Sequence, residues 1–134
     1  MSYFLEVDFL QKVIYVGIGG FIGATLRYLI SMQSSKLFNC SIPLGTLIVN
    51  VLGGFLIGMI MEISLSTDLI PGNLRLFLTT GIMGGLTTFS TFSYETISLV
   101  SEGSYLFGFL NICLNLFLSL GGVVLARFVC KTIL

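Results

Sequence analysis

The sequence predicts an all-α membrane protein with four spanning helices, and three observations predict it. Of 134 residues, 55% are hydrophobic and only 9% charged, with a mean hydropathy of +1.06. Soluble domains carry about 25% charged residues, so this chain could not cover a water-facing surface. Four apolar stretches alternate with short turn-rich connectors, and each is long enough for the about 20 residues that a hydrocarbon core requires. The 16 glycines fall mostly inside those stretches, where membrane helices tolerate them. Residues 1–134 therefore read as a single transmembrane domain with spans at about 9–32, 42–64, 74–100 and 105–128.

The first span follows MSYFLEVDFLQK, which carries acids ahead of Lys12 and no small-residue cleavage site. It is expected to be a retained span, not a signal peptide. Near its far end sits Arg27, a charge that costs about 2.5–3.5 kcal/mol at a helix centre. It lies within two turns of the span's end, so it either snorkels to the interface or lends positive potential to an anion's vestibule. The second span holds Asn50 within TLIVNVLGG. A buried amide needs partners, and two roles stand open for it: an interhelical hydrogen bond, or a place on a cavity wall.

The third span is the irregular one. GIMGGLTTFSTFSYE places two adjacent glycines and then Thr87, Thr88, Ser90, Thr91 and Ser93 where the bilayer midplane should fall. Glycine and β-branched threonine are poor helix formers, and hydroxyls compete for backbone hydrogen bonds. Either the helix continues with its hydroxyls bonded back to the preceding turn, or it breaks. A break at that depth survives only where protein or water satisfies the backbone, and in transporters such breaks present carbonyls or amides to ions. Phe89 and Phe92 interrupt this hydroxyl run. They are either apolar filler or a source of positive aromatic edges for an anion. Glu95 follows at the end of the segment, as a vestibule residue or an interfacial one. The fourth span sets Asn111, Asn115 and Ser119 at i, i+4 and i+8, stacked along one helix face. Three polar residues in register look more like a lining than packing glue.

The connectors SKLFNCSIP, STDLIPGN and SEGS hold both prolines, as loops should. Four spans put both termini on one side. Lys12, Arg75, Arg127 and Lys131 share that side, against Lys36 and Arg27 toward the other. This weak bias leaves open a chain that inserts both ways and pairs head to tail. Gly19 and Gly23, Gly54 and Gly58, and Gly81 and Gly85 each form a GxxxG pair, which lets helix backbones approach in lipid. They are expected to pack the four helices tightly, with some of the faces meeting a second copy.

Other chemistries are poorly served. Six Lys and Arg balance six Asp and Glu, so there is no basic patch for nucleic acid. Histidine is absent, and Cys40, Cys113 and Cys130 have no metal-binding spacing. An enzyme lacks a plausible base. A proton-coupled dual-topology multidrug exporter would need a midspan acid, and Glu62 and Glu95 lie toward span ends. A packing or assembly subunit would explain the glycines but not the hydroxyl run together with the polar track.

The motifs GIGGFIGATLRY, PLGTLIVNVLGG and GGLTTFSTFSYE resemble those of the Fluc (CrcB) family of fluoride channels, in order and over essentially the whole chain. The resemblance implies an antiparallel, dual-topology homodimer in the cell membrane with the third helix broken at midplane. It implies two passive fluoride pathways that lower fluoride toxicity by letting the ion leave the cytoplasm. Asn50, Phe89 and Phe92 match pathway-lining residues, with Thr91 a further donor and Asn111, Asn115 and Ser119 on the fourth-helix track. Amides stand at the first two track positions, where small hydroxyls or tyrosine are more usual. Arg27 and Glu95 match residues near a pathway mouth. A structural sodium ion at the dimer centre would take backbone carbonyls of Gly84 and Thr87 from both subunits. Retention of the asparagine and of the phenylalanine pair favours a self-sufficient homodimer over a pair of unlike subunits. The physical case for fluoride is separate. A small, strongly hydrated anion needs many hydrogen-bond donors, and a fixed cation in the narrow part would trap it.

Overall fold

The computed structural model describes residues 2–134, with side chains described from residue 6 onward. Its regular structure among the described residues is helical throughout. Helix α1 runs Ser2–Leu37 and α2 Leu44–Ser66. The third span begins with α3 (Gly72–Leu76), widens into a π-helical run (Phe77–Met83) and closes as α4 (Gly84–Leu86). It resumes as α5 (Phe89–Ser101), and α6 (Tyr105–Ile133) completes the chain. By length and composition, α1 over Glu6–Leu37, α2 and α6 can each cross a membrane. The fourth crossing is left to the divided third span.

The connectors behave as their residues dictate. Pro43 and Pro71 stand immediately before the first turns of α2 and α3, where a missing amide proton costs nothing. Gly103, at φ 79°, is the only described residue with a positive φ, and it turns the chain between α5 and α6. Helix α1 has 36 residues, which amounts to about 54 Å. That exceeds the span expected at about 9–32, so its ends project beyond a core of about 30 Å.

The break falls at Thr87 and Thr88, both extended (φ −79°, ψ 156° and φ −151°, ψ 116°). This decides against a continuous third helix. The competing hydroxyl chemistry is present all the same: the Thr87 hydroxyl donates to the Met83 carbonyl at 2.9 Å, and Ser93 donates to that of Phe89 at 2.8 Å. Gly81 and Gly85 just upstream are helical and serve close approach to α1. A Cβ on Gly85 would stand 2.6 Å from the Gly20 carbonyl oxygen, and one on Gly81 would stand 2.9 Å from the Gly19 Cα.

The GxxxG faces are spent inside the subunit. Gly19 and Gly23 receive the π-helical run and α4, while Gly54 and Gly58 receive Ser119, Val123 and Ala126 of α6. The expectation that some of these faces meet a second copy is therefore corrected: a partner would have to dock elsewhere. Val49, Met83 and Leu86 form the buried apolar cluster between α2 and the first half of the third span. At the far end of α2, the buried Glu62 accepts from Arg127 Nε at 3.0 Å, with Lys131 Nζ 3.9 Å away. That cluster ties α2 to the end of α6.

A candidate ion pathway at the helix break

Asn50 of α2 sits opposite the break and takes the place of the missing helical turn. Its Oδ1 accepts the Thr88 amide proton at 2.8 Å, and its Nδ2 donates to the Thr88 carbonyl at 3.2 Å. A second Nδ2 contact reaches Asn115 Oδ1 at 2.9 Å. Both amide protons of Asn50 are thus committed, so it holds the break open instead of presenting a free donor. Thr88 then caps α5. Its Oγ1 accepts the Thr91 amide proton at 3.2 Å and shares a hydrogen bond with the Thr91 hydroxyl at 3.0 Å. This is the side-chain cap that starts a helix after an extended residue.

These diversions free two carbonyls. In an unbroken helix the amide of residue i+4 would bond the carbonyl of residue i. Here the Thr88 amide goes to Asn50 and the Thr91 amide to Thr88 Oγ1, so neither is spent on Gly84 or Thr87. These are the carbonyls expected to hold a sodium ion, and carbonyl oxygens suit a hard cation. Gly84 also has an open face, since an added Cβ would meet only the Thr79 carbonyl, at 3.9 Å. Arg27 Nη1 approaches the Thr87 carbonyl at 3.5 Å, beyond the usual range for a strong bond.

A groove of about 590 Å³ runs along the break, walled by α2, both halves of the third span and α6. Asn50, Phe89, Phe92, Asn115 and Ser119 all line it, as do Gly84, Thr87 and Thr88. None of its described lining residues is charged. Phe89 and Phe92 lie with ring centroids 5.5 Å apart, tilted by 52°, and Phe89 is 79% exposed. The Ser119 hydroxyl is buried with no hydrogen-bond partner.

The other expected residues lie elsewhere. Asn111 is wholly buried behind Asn115, whose Nδ2 donates to Asn111 Oδ1 at 3.0 Å. Thr91 and Glu95 line a second cavity of about 520 Å³ together with Thr46 and serines of α1. There Thr46 donates to Glu95 Oε1 at 2.9 Å, and Glu95 Oε2 is buried and unpartnered. Thr88 lines the first cavity and Thr91 the second, so their shared hydroxyl bond stands between the two. Arg27 lines neither cavity, and its Nη1 points to the break at the Thr87 carbonyl. Two residues are absent from the sequence reading. Thr46 partners Glu95, and Thr96 accepts from Asn111 Nδ2 at 2.9 Å. For Thr96 the available signal is a hydroxyl one turn after Phe92 on α5.

Fold and site together define a multi-pass membrane protein with an uncharged, largely apolar groove built on a broken helix. The chain belongs to the CrcB family: residues 14–127 match the family described as CrcB-like protein, Camphor Resistance (CrcB). It is 61% identical over 114 residues to a protein of Clostridium novyi (strain NT), covering 85% of this chain and 89% of that one. It is 58% identical over 118 residues to one of Clostridium perfringens (strain 13 / Type A), covering 88% and 92%. A third, from Ruminiclostridium cellulolyticum, is 51% identical over 124 residues, covering 91% and 94%. All three relatives bear the name fluoride-specific ion channel FluC. The family is one of ion channels and is not enzymatic.

Proposed function

We propose that this protein is a passive, fluoride-selective channel that exports fluoride from the cytoplasm and lowers its toxicity. In this reading it works as an antiparallel homodimer with two pathways. The observation that carries the reading is the groove wall, which has no charged residue, an unpartnered Ser119 hydroxyl and a paired Phe89 and Phe92. Hydroxyl protons and aromatic edges offer partial positive charge to an anion without a cation to trap it. Asn50 and Asn115 shape this wall through their mutual bond, and Thr91 and Thr88 offer hydroxyls where the two cavities meet. Glu95 and Thr46 belong to a vestibule on the Thr91 side. Arg27 contributes positive potential at the break, and the buried Asn111 supports the track from behind.

The exposure of Phe89 supports the dimer, since one subunit walls only part of the groove and a second copy would supply the rest. A structural sodium ion would be held by the carbonyls of Gly84 and Thr87 from both subunits. It would supply fixed positive charge that draws those carbonyls together and stabilises the broken helices. Lipid surrounds the apolar faces, and nucleic acid has no place in this scheme. The test is expression in cells that lack their own fluoride exporter. The chain is expected to lower intracellular fluoride and permit growth at fluoride concentrations that stop the parent. Unchanged fluoride accumulation, with the protein present in the membrane, would overturn the proposal.

A further inference from the structure

We propose that Thr96, Asn111 and Asn115 form a one-directional hydrogen-bond relay that fixes which way round the Asn50 side-chain amide sits, making all three positioning residues for conduction. The inference rests on the channel reading and deepens it.

The hydrogen bonds run in one sense, starting from Thr96. The Thr96 hydroxyl has one proton, and it is given to the Phe92 carbonyl at 2.8 Å. Its oxygen can then only accept, so Asn111 must turn its Nδ2 toward it, as it does at 2.9 Å. That orientation leaves Asn111 Oδ1 facing Asn115, whose Nδ2 donates to it at 3.0 Å and to the Asn111 carbonyl at 3.1 Å. Asn115 Oδ1 must therefore accept, and it does so from Asn50 Nδ2 at 2.9 Å. Asn50 is left with its Oδ1 toward the Thr88 amide proton at 2.8 Å, the only orientation that pairs donor with acceptor there.

An isolated amide can sit either way round, because its two ends have nearly the same shape. In this relay Thr96 breaks the tie at one end and the Thr88 amide at the other. Thr96 is 6% exposed and Asn111 0%, and neither lines a cavity, so water does not readily replace a missing link at that end. Bonds aligned in one sense also polarise one another in a low dielectric. Any effect of Thr96 and Asn111 on conduction passes through Asn115 and Asn50, which do line the groove.

The test compares Thr96→Val, which keeps the side-chain shape but removes the hydroxyl, with Thr96→Ser, which restores it. Both are purified as full chains and read in two ways: fluoride efflux from liposomes, and the side-chain amide NMR signals of ¹⁵N-labelled Asn50. Thr96→Val is expected to move the Asn50 signals and to slow fluoride efflux about tenfold, and Thr96→Ser to return both toward wild type. Asn111→Ser, too short to join Thr96 with Asn115, is expected to act like Thr96→Val and covers the case in which that variant does not fold. Unmoved Asn50 signals and wild-type efflux in folded Thr96→Val or Asn111→Ser would overturn the relay. If the wild-type protein conducts no fluoride while the Asn50 signals still respond to Thr96→Val and recover in Thr96→Ser, the relay stands and the channel reading falls.

Discussion

Replacing Asn50 with alanine removes three hydrogen bonds at the point where the third span turns. The lost contacts are those to the Thr88 carbonyl (3.2 Å), from the Thr88 amide (2.8 Å) and to Asn115 Oδ1 (2.9 Å). Thr88 and Asn115 are each 6% exposed, so the amide proton and the side-chain oxygen left behind meet water only from the groove that both residues line. A buried group stripped of its partner costs about 1–3 kcal/mol, whereas polar contacts between membrane helices average about 0.6 kcal/mol because the unfolded chain finds other partners. The two scales meet near 2 kcal/mol for this substitution, or about a thirtyfold shift in the unfolding equilibrium. Asn50→Ala is therefore expected to lower stability by about 2 kcal/mol in reversible denaturation from mixed detergent micelles, and to impair fluoride efflux once the same protein is reconstituted into liposomes. If stability is unchanged within about 0.5 kcal/mol, the scale of a neutral surface substitution, then Asn50 does not hold the break and the argument built on its bonds fails.

Further outcomes follow from the same contacts. Gly81→Ala forces a Cβ to within 2.9 Å of the Gly19 Cα, whereas Gly84→Ala meets nothing nearer than 3.9 Å. The first is expected to destabilise the folded subunit by about 1–3 kcal/mol, the usual cost of overpacking. Gly84→Ala should leave the subunit's unfolding midpoint in place, and equal effects in the two variants would contradict the packing described. Arg127→Gln withdraws the nearer cation from buried Glu62. Because the arginine side chain is 57% exposed, the expected loss in stability is only about 1 kcal/mol, and it should shrink as salt is raised. A salt-independent loss would mean that packing, not charge, ties α2 to α6 there.

Much of this architecture is legible in the residues, and the limits of legibility have physical causes. The apolar stretches mark α2 and α6 closely, at Leu44–Ser66 and Tyr105–Ile133, because hydrocarbon thickness sets their length. The disturbance in the third span is legible from its glycines and hydroxyls. Its location at Thr87 and Thr88 is not, because it depends on an amide 38 residues away on another helix. The same holds for the π-helical run Phe77–Met83, which lies against α1 where Gly19 and Gly23 admit its backbone. The i, i+4, i+8 spacing correctly places Asn111, Asn115 and Ser119 along one stripe. It cannot tell that the stripe rotates from the groove at Ser119 to the buried side at Asn111. The bond between Glu62 and Arg127 joins residues 65 apart, so no local pattern announces it.

We propose that this protein conducts fluoride selectively and passively through an uncharged groove. The most direct test is anion efflux from liposomes carrying the purified wild-type protein, loaded with fluoride or with chloride and followed by ion-selective electrodes without a pH gradient. Rapid fluoride efflux with chloride retained, lost on Phe89→Ile, is the predicted result. Equal leakage of both anions, or fluoride efflux that requires a proton gradient, would contradict it.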